Sequence, residues 1–199
     1  MSLDFYSAIK SRRTFYGISS ESTVSDDRIH QIIDQAVTVA PTAFNSQSGR
    51  VVLLLGEQHV KLWDITMEAL RKIVPEEKFP PTEQKINSFR SGYGTVLYFE
   101  EQTVIEELQK SFPSYRDNFP IWSQQASGML QYIIWTSLQE EGLGASLQHY
   151  NPLIDEEVKR QWNVPGSWKL IAQMPFGKPT AAPNEKEVKP LDERVKVYK

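Results

Sequence analysis

The chain has 199 residues, 40% hydrophobic and 11% aromatic, with 22 Lys and Arg against 25 Asp and Glu for a net charge of -3. That length supports one sizeable core rather than two, and basic residues scattered along the chain exclude a nucleic-acid or anionic-membrane surface. There are no cysteines, which removes disulfide scaffolds, thiolate zinc sites, iron–sulfur clusters and cysteine nucleophiles together, so redox chemistry has to be borrowed from a cofactor.

No run approaches 18 apolar residues, and the first ten carry Asp4 where a targeting segment would have a basic start, so a cytoplasmic protein without a membrane span is expected. A short amphipathic helix holding Leu3, Phe5, Tyr6 and Ile9 opens the chain. Ser25 is a good helix cap, Asp26 and Asp27 suit the first turn, and Ile29, Ile32, Ile33, Ala36, Val37 and Ala40 form one stripe that Pro41 ends. Residues 51–55, apolar throughout between Gly49 and Gly56, predict a strand buried on both faces, followed by a helix over 58–73. Pro75, Pro80 and Pro81 predict a polar, exposed connection leading to a strand over 94–99.

The longest periodic segment, 119–138, carries Trp122, Ala126, Met129, Leu130, Ile133, Ile134 and Leu138 on one face with Tyr132 and Trp135 beside it. An apolar arc that wide belongs at the centre of the fold or in a subunit interface. Gly142 and Gly144 end it; a third strand starts at Ala145, a short helix covers 155–162 and a fourth strand 168–176. The proline- and charge-rich residues 177–199 cannot make a core alone and predict either a disordered tail or an extended arm wrapped over another surface. Mixed order without regular strand–helix alternation predicts an α+β fold in one domain, 1–199.

Several chemistries lack their motifs. His30, His59 and His149 show no metal-ligand spacing and no carboxylate partner in sequence, so each is expected to be structural or exposed. Residues 144–148 carry Gln148 where a nucleophile elbow needs glycine, and neither Gly142-Leu143-Gly144 nor Gly92-Tyr93-Gly94 sits between a strand and a helix as a dinucleotide loop must.

Three polar segments remain. Ser11-Arg12-Arg13-Thr14 places two guanidinium groups and a hydroxyl after the first helix, a combination suited to phosphate. Pro41-Thr42-Ala43-Phe44-Asn45-Ser46-Gln47 lies between a helix and a strand, with amide and hydroxyl groups for a polyol or heterocycle edge. In Gly142-Leu143-Gly144-Ala145-Ser146-Leu147-Gln148-His149-Tyr150-Asn151-Pro152, small residues would let backbone approach a flat ligand.

In order and spacing these segments, with Gly92-Tyr93-Gly94-Thr95 at a strand entry, resemble the nitroreductase family, within it the small fatty-acid-repression-mutant-like subgroup. The resemblance implies a nitroreductase-like α+β fold, with a central, mostly antiparallel sheet flanked by helices and the C-terminal arm 177–199 reaching the partner subunit of a homodimer. It implies FMN at the subunit interface, NAD(P)H as co-substrate, and ping-pong hydride transfer to a small aromatic acceptor, a nitroaromatic or quinone. Carried over by position, Arg12, Arg13 and Thr14 are expected at the phosphate, ribityl chain and pyrimidine edge, with Arg13 near N1. Pro41, Thr42, Asn45 and Gln47 would contact FMN from the loop, Ala145, Ser146 and Leu147 would pass the ring near N5, and Lys178 would be a C-terminal phosphate ligand. The acidic residue and glycine that larger relatives place beside N5 are replaced by Gly144-Ala145-Ser146, so the N5 donor is expected to be another group. A flavin-binding redox sensor with incidental turnover fits the same residues.

Overall fold

The computed structural model describes residues 4–199; Leu3, assigned to the first helix from sequence, lies outside them. Helix α1 (Phe5–Ser11) is capped by the Asp4 carboxylate, which accepts from the N–H groups of Tyr6 and Ser7 at 3.1 and 3.2 Å. It buries Ala8, while Phe5 and Tyr6 are 70% and 72% exposed. Strand β1 (Ile18–Ser19) follows, then α2 (Asp26–Val39), whose Ser25 cap accepts from Arg28 N at 3.3 Å and whose Ile29, Ile32, Ile33 and Ala36 are buried as their spacing predicts.

Next come β2 (Gly49–Leu55), α3 (Gly56–Arg71), α4 (Phe79–Arg90), β3 (Gly94–Glu101), α5 (Gln102–Ser111) and α6 (Phe119–Glu140). Gly142, at φ +80, turns the chain out of α6 into β4 (Gly144–Ala145), followed by α7 (Asp155–Trp162) and β5 (Trp168–Pro179). The sheet runs β1-β5-β3-β2 with β4 also paired to β5, and every strand pair is antiparallel. The expected α+β architecture is therefore what the chain adopts, in three layers. Leu62, Trp63, Ile86, Phe89 and Val158 pack one face of the sheet from α3, α4 and α7. Ile29, Ala36, Leu130, Ile134 and Leu138 pack the other from α2 and α6.

Four expectations change. β2 is an edge strand, with Leu54 alone buried, because β3 occupies one side and, among the described residues, no strand the other. Pro80 and Pro81 do not mark an exposed connection; they occupy the first turn of α4, where a missing N–H costs nothing, and the helix buries Phe79, Ile86 and Phe89. Residues 177–179 still belong to β5, so the segment without helix or strand is 180–199. His30 does have a carboxylate partner, Asp34 one helical turn on, at 3.5 Å and on the surface. His59 is buried, its ring nitrogens 2.8 Å from Thr95 Oγ1 and 3.2 Å from the Arg90 carbonyl oxygen.

Backbone crowding is greatest where β5 passes the end of β1. A Cβ on Gly177 would stand 2.2 Å from the Ser19 carbonyl oxygen and 3.0 Å from Tyr93 N, both main-chain atoms held by the sheet. Gly177→Ala is expected to destabilise the fold by more than about 3 kcal/mol or to yield no folded protein. Gly166→Ala, with nothing within 4 Å, should stay within about 0.5 kcal/mol of the parent in urea denaturation.

Candidate functional site

The first and third polar segments meet. After α1 the chain runs extended beside β4, Thr14 bridging Ala145 in parallel register and Phe15 N donating to the Ala145 carbonyl at 3.0 Å. This approach needs Gly144, since a Cβ there would stand 2.8–2.9 Å from the Phe15 side chain. The Arg12 guanidinium lies 4.4 Å from the Trp135 ring centroid and 5.9 Å from Tyr132, both on α6. Its Nε is buried without an acceptor. Arg13 donates to the Asn184 carbonyl of the C-terminal segment, and Lys178 Nζ pairs with Glu21 Oε2 at 2.8 Å. The three cations expected at a phosphate thus rest on three different partners. The Lys178–Glu21 pair is more than half exposed on both sides, an arrangement that costs little to open.

The second segment is a strained loop. Phe44, Asn45 and Gln47 have φ of 55, 50 and 47, left-handed values that non-glycine residues adopt only when held there. Thr42 holds the turn, its carbonyl accepting from Asn45 N and its hydroxyl from Gln47 N, both at 3.1 Å. Arg50 Nη1 donates to the Gln47 carbonyl at 2.7 Å. The Phe44 ring, half exposed, lies against Phe112, Phe119 and Trp122 at centroid distances of 4.9–6.0 Å.

Beneath the loop is a cavity of about 250 Å³ lined by Thr42, Asn45, Gln47, Ser127, Arg50 and Glu100. Glu100, on the α6-facing side of β3 in step with Val96 and Tyr98, is 1% exposed. Its Oε2 accepts from Ser48 Oγ at 2.6 Å, and its Oε1 has no partner.

Along the outer face of α6 runs an open apolar groove of about 820 Å³, with Phe5 and Ala8 of α1, Pro41, and Gly128, Met129 and Tyr132 of α6 among its walls. The site segments sort along this helix. The 42–47 loop sits at Ser127, whereas Arg12, Thr14 and Ala145 gather at the Trp135 end. From position 127 to 135 is eight residues, about 12 Å of helix. One chain brings Arg12, Arg13, Thr14 and Ala145 together and holds Thr42, Asn45 and Gln47 apart from them; Pro41 lies in the groove between.

Residues 145–147 are not equally available. Ala145 and Ser146 have no exposed surface, and Ser146 N–H is taken by the Pro175 carbonyl at 3.2 Å, so Leu147 alone of the three offers atoms at the surface. Sequence reasoning passed over Glu100, Ser48, Arg50 and Trp135. The available signal was an acid at an inward-facing strand position, two residues after Tyr98.

Two buried groups give stability a pH dependence of opposite sign. Burial pushes Glu100 from its ordinary 4.5 up to about 7, against the hydrogen bond from Ser48 and the charge of Arg50. The folded chain keeps a proton that the unfolded chain releases, so this contribution is lost as pH rises from 4.5 through 7. Burial pushes His59 from 6.5 down to about 4, so its contribution is lost as pH falls from 6.5 through 4. Between 4.5 and 6.5 the slopes oppose each other and the parent's profile is shallow. Glu100→Gln leaves only the histidine slope. Chemical denaturation across pH should show the variant gaining roughly 2–3 kcal/mol relative to the parent between pH 4.5 and 7.5.

Residues 9–178 match the nitroreductase family. The nitroreductase FRM2 of Saccharomyces cerevisiae is 34% identical over 185 residues, covering 92% of each chain. Among solved structures, the nitroreductase CinD from Lactococcus lactis superimposes with a TM-score of 0.90 in its complexes with chloramphenicol and with 4-nitrophenol. Sequence identities are 41% and 42%, over 98% of this chain and all of that one. By sequence and by fold, the chain belongs to the nitroreductase family of oxidoreductases.

Proposed function

We propose that this protein is an FMN-dependent oxidoreductase that takes electrons from NAD(P)H and delivers them to nitroaromatic or quinone acceptors, the two substrates using one site in turn, and that it works as a homodimer. The observation that carries this reading is the split of the polar segments along α6. A second chain laid antiparallel in the apolar groove would bring its 42–47 loop against the first chain's Arg12–Ala145 cluster, making two equivalent sites. The exposed Phe5, Tyr6, Met129 and Tyr132 that one chain leaves to water would be covered in the same step.

The residues fit FMN. Arg12 Nε is a buried donor awaiting an acceptor, and adjacent guanidinium groups with the Thr14 hydroxyl suit a phosphate ester. Lys178 joins them on leaving Glu21, and Arg13, released from the Asn184 carbonyl, would oppose negative charge at the pyrimidine edge. Pro41, Thr42, Asn45 and Gln47 would reach the ribityl chain and ring edge from the other chain. Leu147 would touch the ring, with Ala145 and Ser146 fixing the backbone behind it. FMN, when bound, supplies the hydride chemistry that no side chain of a cysteine-free chain performs. The Phe44 cluster would give aromatic acceptors a wall on which to stack, and CinD, to which this chain is similar, takes one such molecule, 4-nitrophenol. The tail 180–199, with Val188, Leu191, Val195 and Val197 exposed, would lie over the partner.

The purified protein should be yellow, with bands near roughly 370 and 450 nm, and should oxidise NAD(P)H in the presence of 4-nitrophenol or menadione. A colourless protein that takes up no added FMN would overturn the cofactor, and a flavoprotein inert toward every acceptor would fit a redox sensor instead. Arg13→Ala is expected to weaken FMN binding by about tenfold, the loss of one charge-assisted contact. Met129→Glu, placing a charge in the groove, should give monomers in sedimentation and lose flavin with them.

A further inference from the structure

Glu100 is the one buried carboxyl among the described residues, and the family's redox role does not account for it. Three features surround it. Ser48, which holds Oε2, immediately follows the strained loop, and its carbonyl accepts from Glu101 N at 2.9 Å, so the loop's end is fastened to β3 at both atoms. Gly49, its register partner in β2, leaves open the space beside Oε1; a Cβ there would stand 3.8 Å from that oxygen and 3.3 Å from Leu130. The cavity so formed is lined in part by Asn45 and Gln47, two amide-bearing residues that are also exposed to solvent. These residues therefore stand between a buried carboxyl and the surface.

We infer that Glu100 is a positioning residue for the 42–47 loop: protonated, it leaves the Asn45 and Gln47 amides free to face outward, and ionised, it draws one of them into the cavity. The inference rests on the proposed function in taking that outward face as the flavin contact. Its physical basis is that a buried anion with an empty lone-pair position is costly until a donor fills it, and these amides border the same space. Its proton leaves near neutrality, at about 7, because burial disfavours the charge. Few other charges face it. Arg50 on β2 is the one charged group of the cavity wall, and α2 and α6 present Val37, Thr38, Ala40, Ala126, Ser127 and Leu130 there. On β5 the register partner Lys169 is exposed, and His30 and Asp34 of α2 lie in the neighbouring groove.

The test is FMN affinity from fluorescence quenching between pH 5.5 and 8.5, for the full chain and for Glu100→Gln, which fixes the neutral form. Ionisation of the FMN phosphate is common to both proteins, so the ratio of their affinities isolates Glu100. The parent should weaken relative to the variant by about tenfold as pH rises through 7. Ser48→Ala removes the hydrogen bond that favours the anion, so its transition should move to higher pH, a displacement that a merely structural role would not produce. Ratios independent of pH, or a Ser48→Ala midpoint that does not move, would overturn the inference. Hydrogen exchange of the 42–49 amides without FMN separates the two claims. If neither protein binds FMN, the proposed function fails, yet loop protection that diverges between parent and variant above pH 7 still supports the role of Glu100, and identical protection at every pH rejects it.

Discussion

Helix α6 has two surfaces to satisfy, and the rest of the arrangement depends on how it does so. One face lies on the sheet through Ala126, Leu130, Ile134 and Leu138, all buried. The opposite face carries Met129 and Tyr132 at 40–41% exposure, a cost in water that a charged surface helix would not incur. Because α6 spans 22 residues, about 33 Å, its two ends can serve two different parts of a site. The strained loop is seated at its N-terminal half, and the arginine segment with β4 at its C-terminal half.

Neither half of that division carries acid–base machinery. The side chains at the polar segments are donors of hydrogen bonds and positive charge, suited to holding a charged, planar group, and none is arranged as a nucleophile with its base. Strain in the loop at Phe44, Asn45 and Gln47 is sustained by contacts on several sides: Thr42 within the turn, Arg50 from β2, Ser48 tied to β3, and the rings of Phe112, just after α5, and of Phe119 and Trp122 on α6. A loop backbone over-determined in this way keeps Asn45 and Gln47 at the cavity mouth, where a relaxed turn would have to be ordered on binding, and leaves their side chains to turn inward or outward.

Much of this was legible in the sequence where local physics decides. The Ser25 cap, the stripe of α2, the span of α7 and the wide apolar arc of α6 follow from spacing and capping alone. The three polar segments were identifiable as ligand-binding candidates for the same reason: polar groups at the ends of rigid elements. What was not legible depends on distant neighbours. Residues 51–55 have the composition of a buried strand, and only the strand order makes β2 an edge. Pro80 and Pro81 carry the same letters in a loop and in a helix's first turn, and packing of Phe79 and Phe89 selects the second. Helix α5 buries Ile105 alone, too thin a stripe to read. Glu100 follows an apolar run and looks like the end of a strand, but the sheet continues through it and carries the carboxyl inward.

Gly128 lies in the middle of α6, among the residues bordering the groove, with open space where a side chain would be. A glycine there costs its helix about 1 kcal/mol against alanine, and an isolated chain recovers nothing in return. The gap lets whatever lies in the groove approach the α6 backbone more closely here than at Met129 or Tyr132, so fit at this spot is a matter of girth rather than of charge or greasiness.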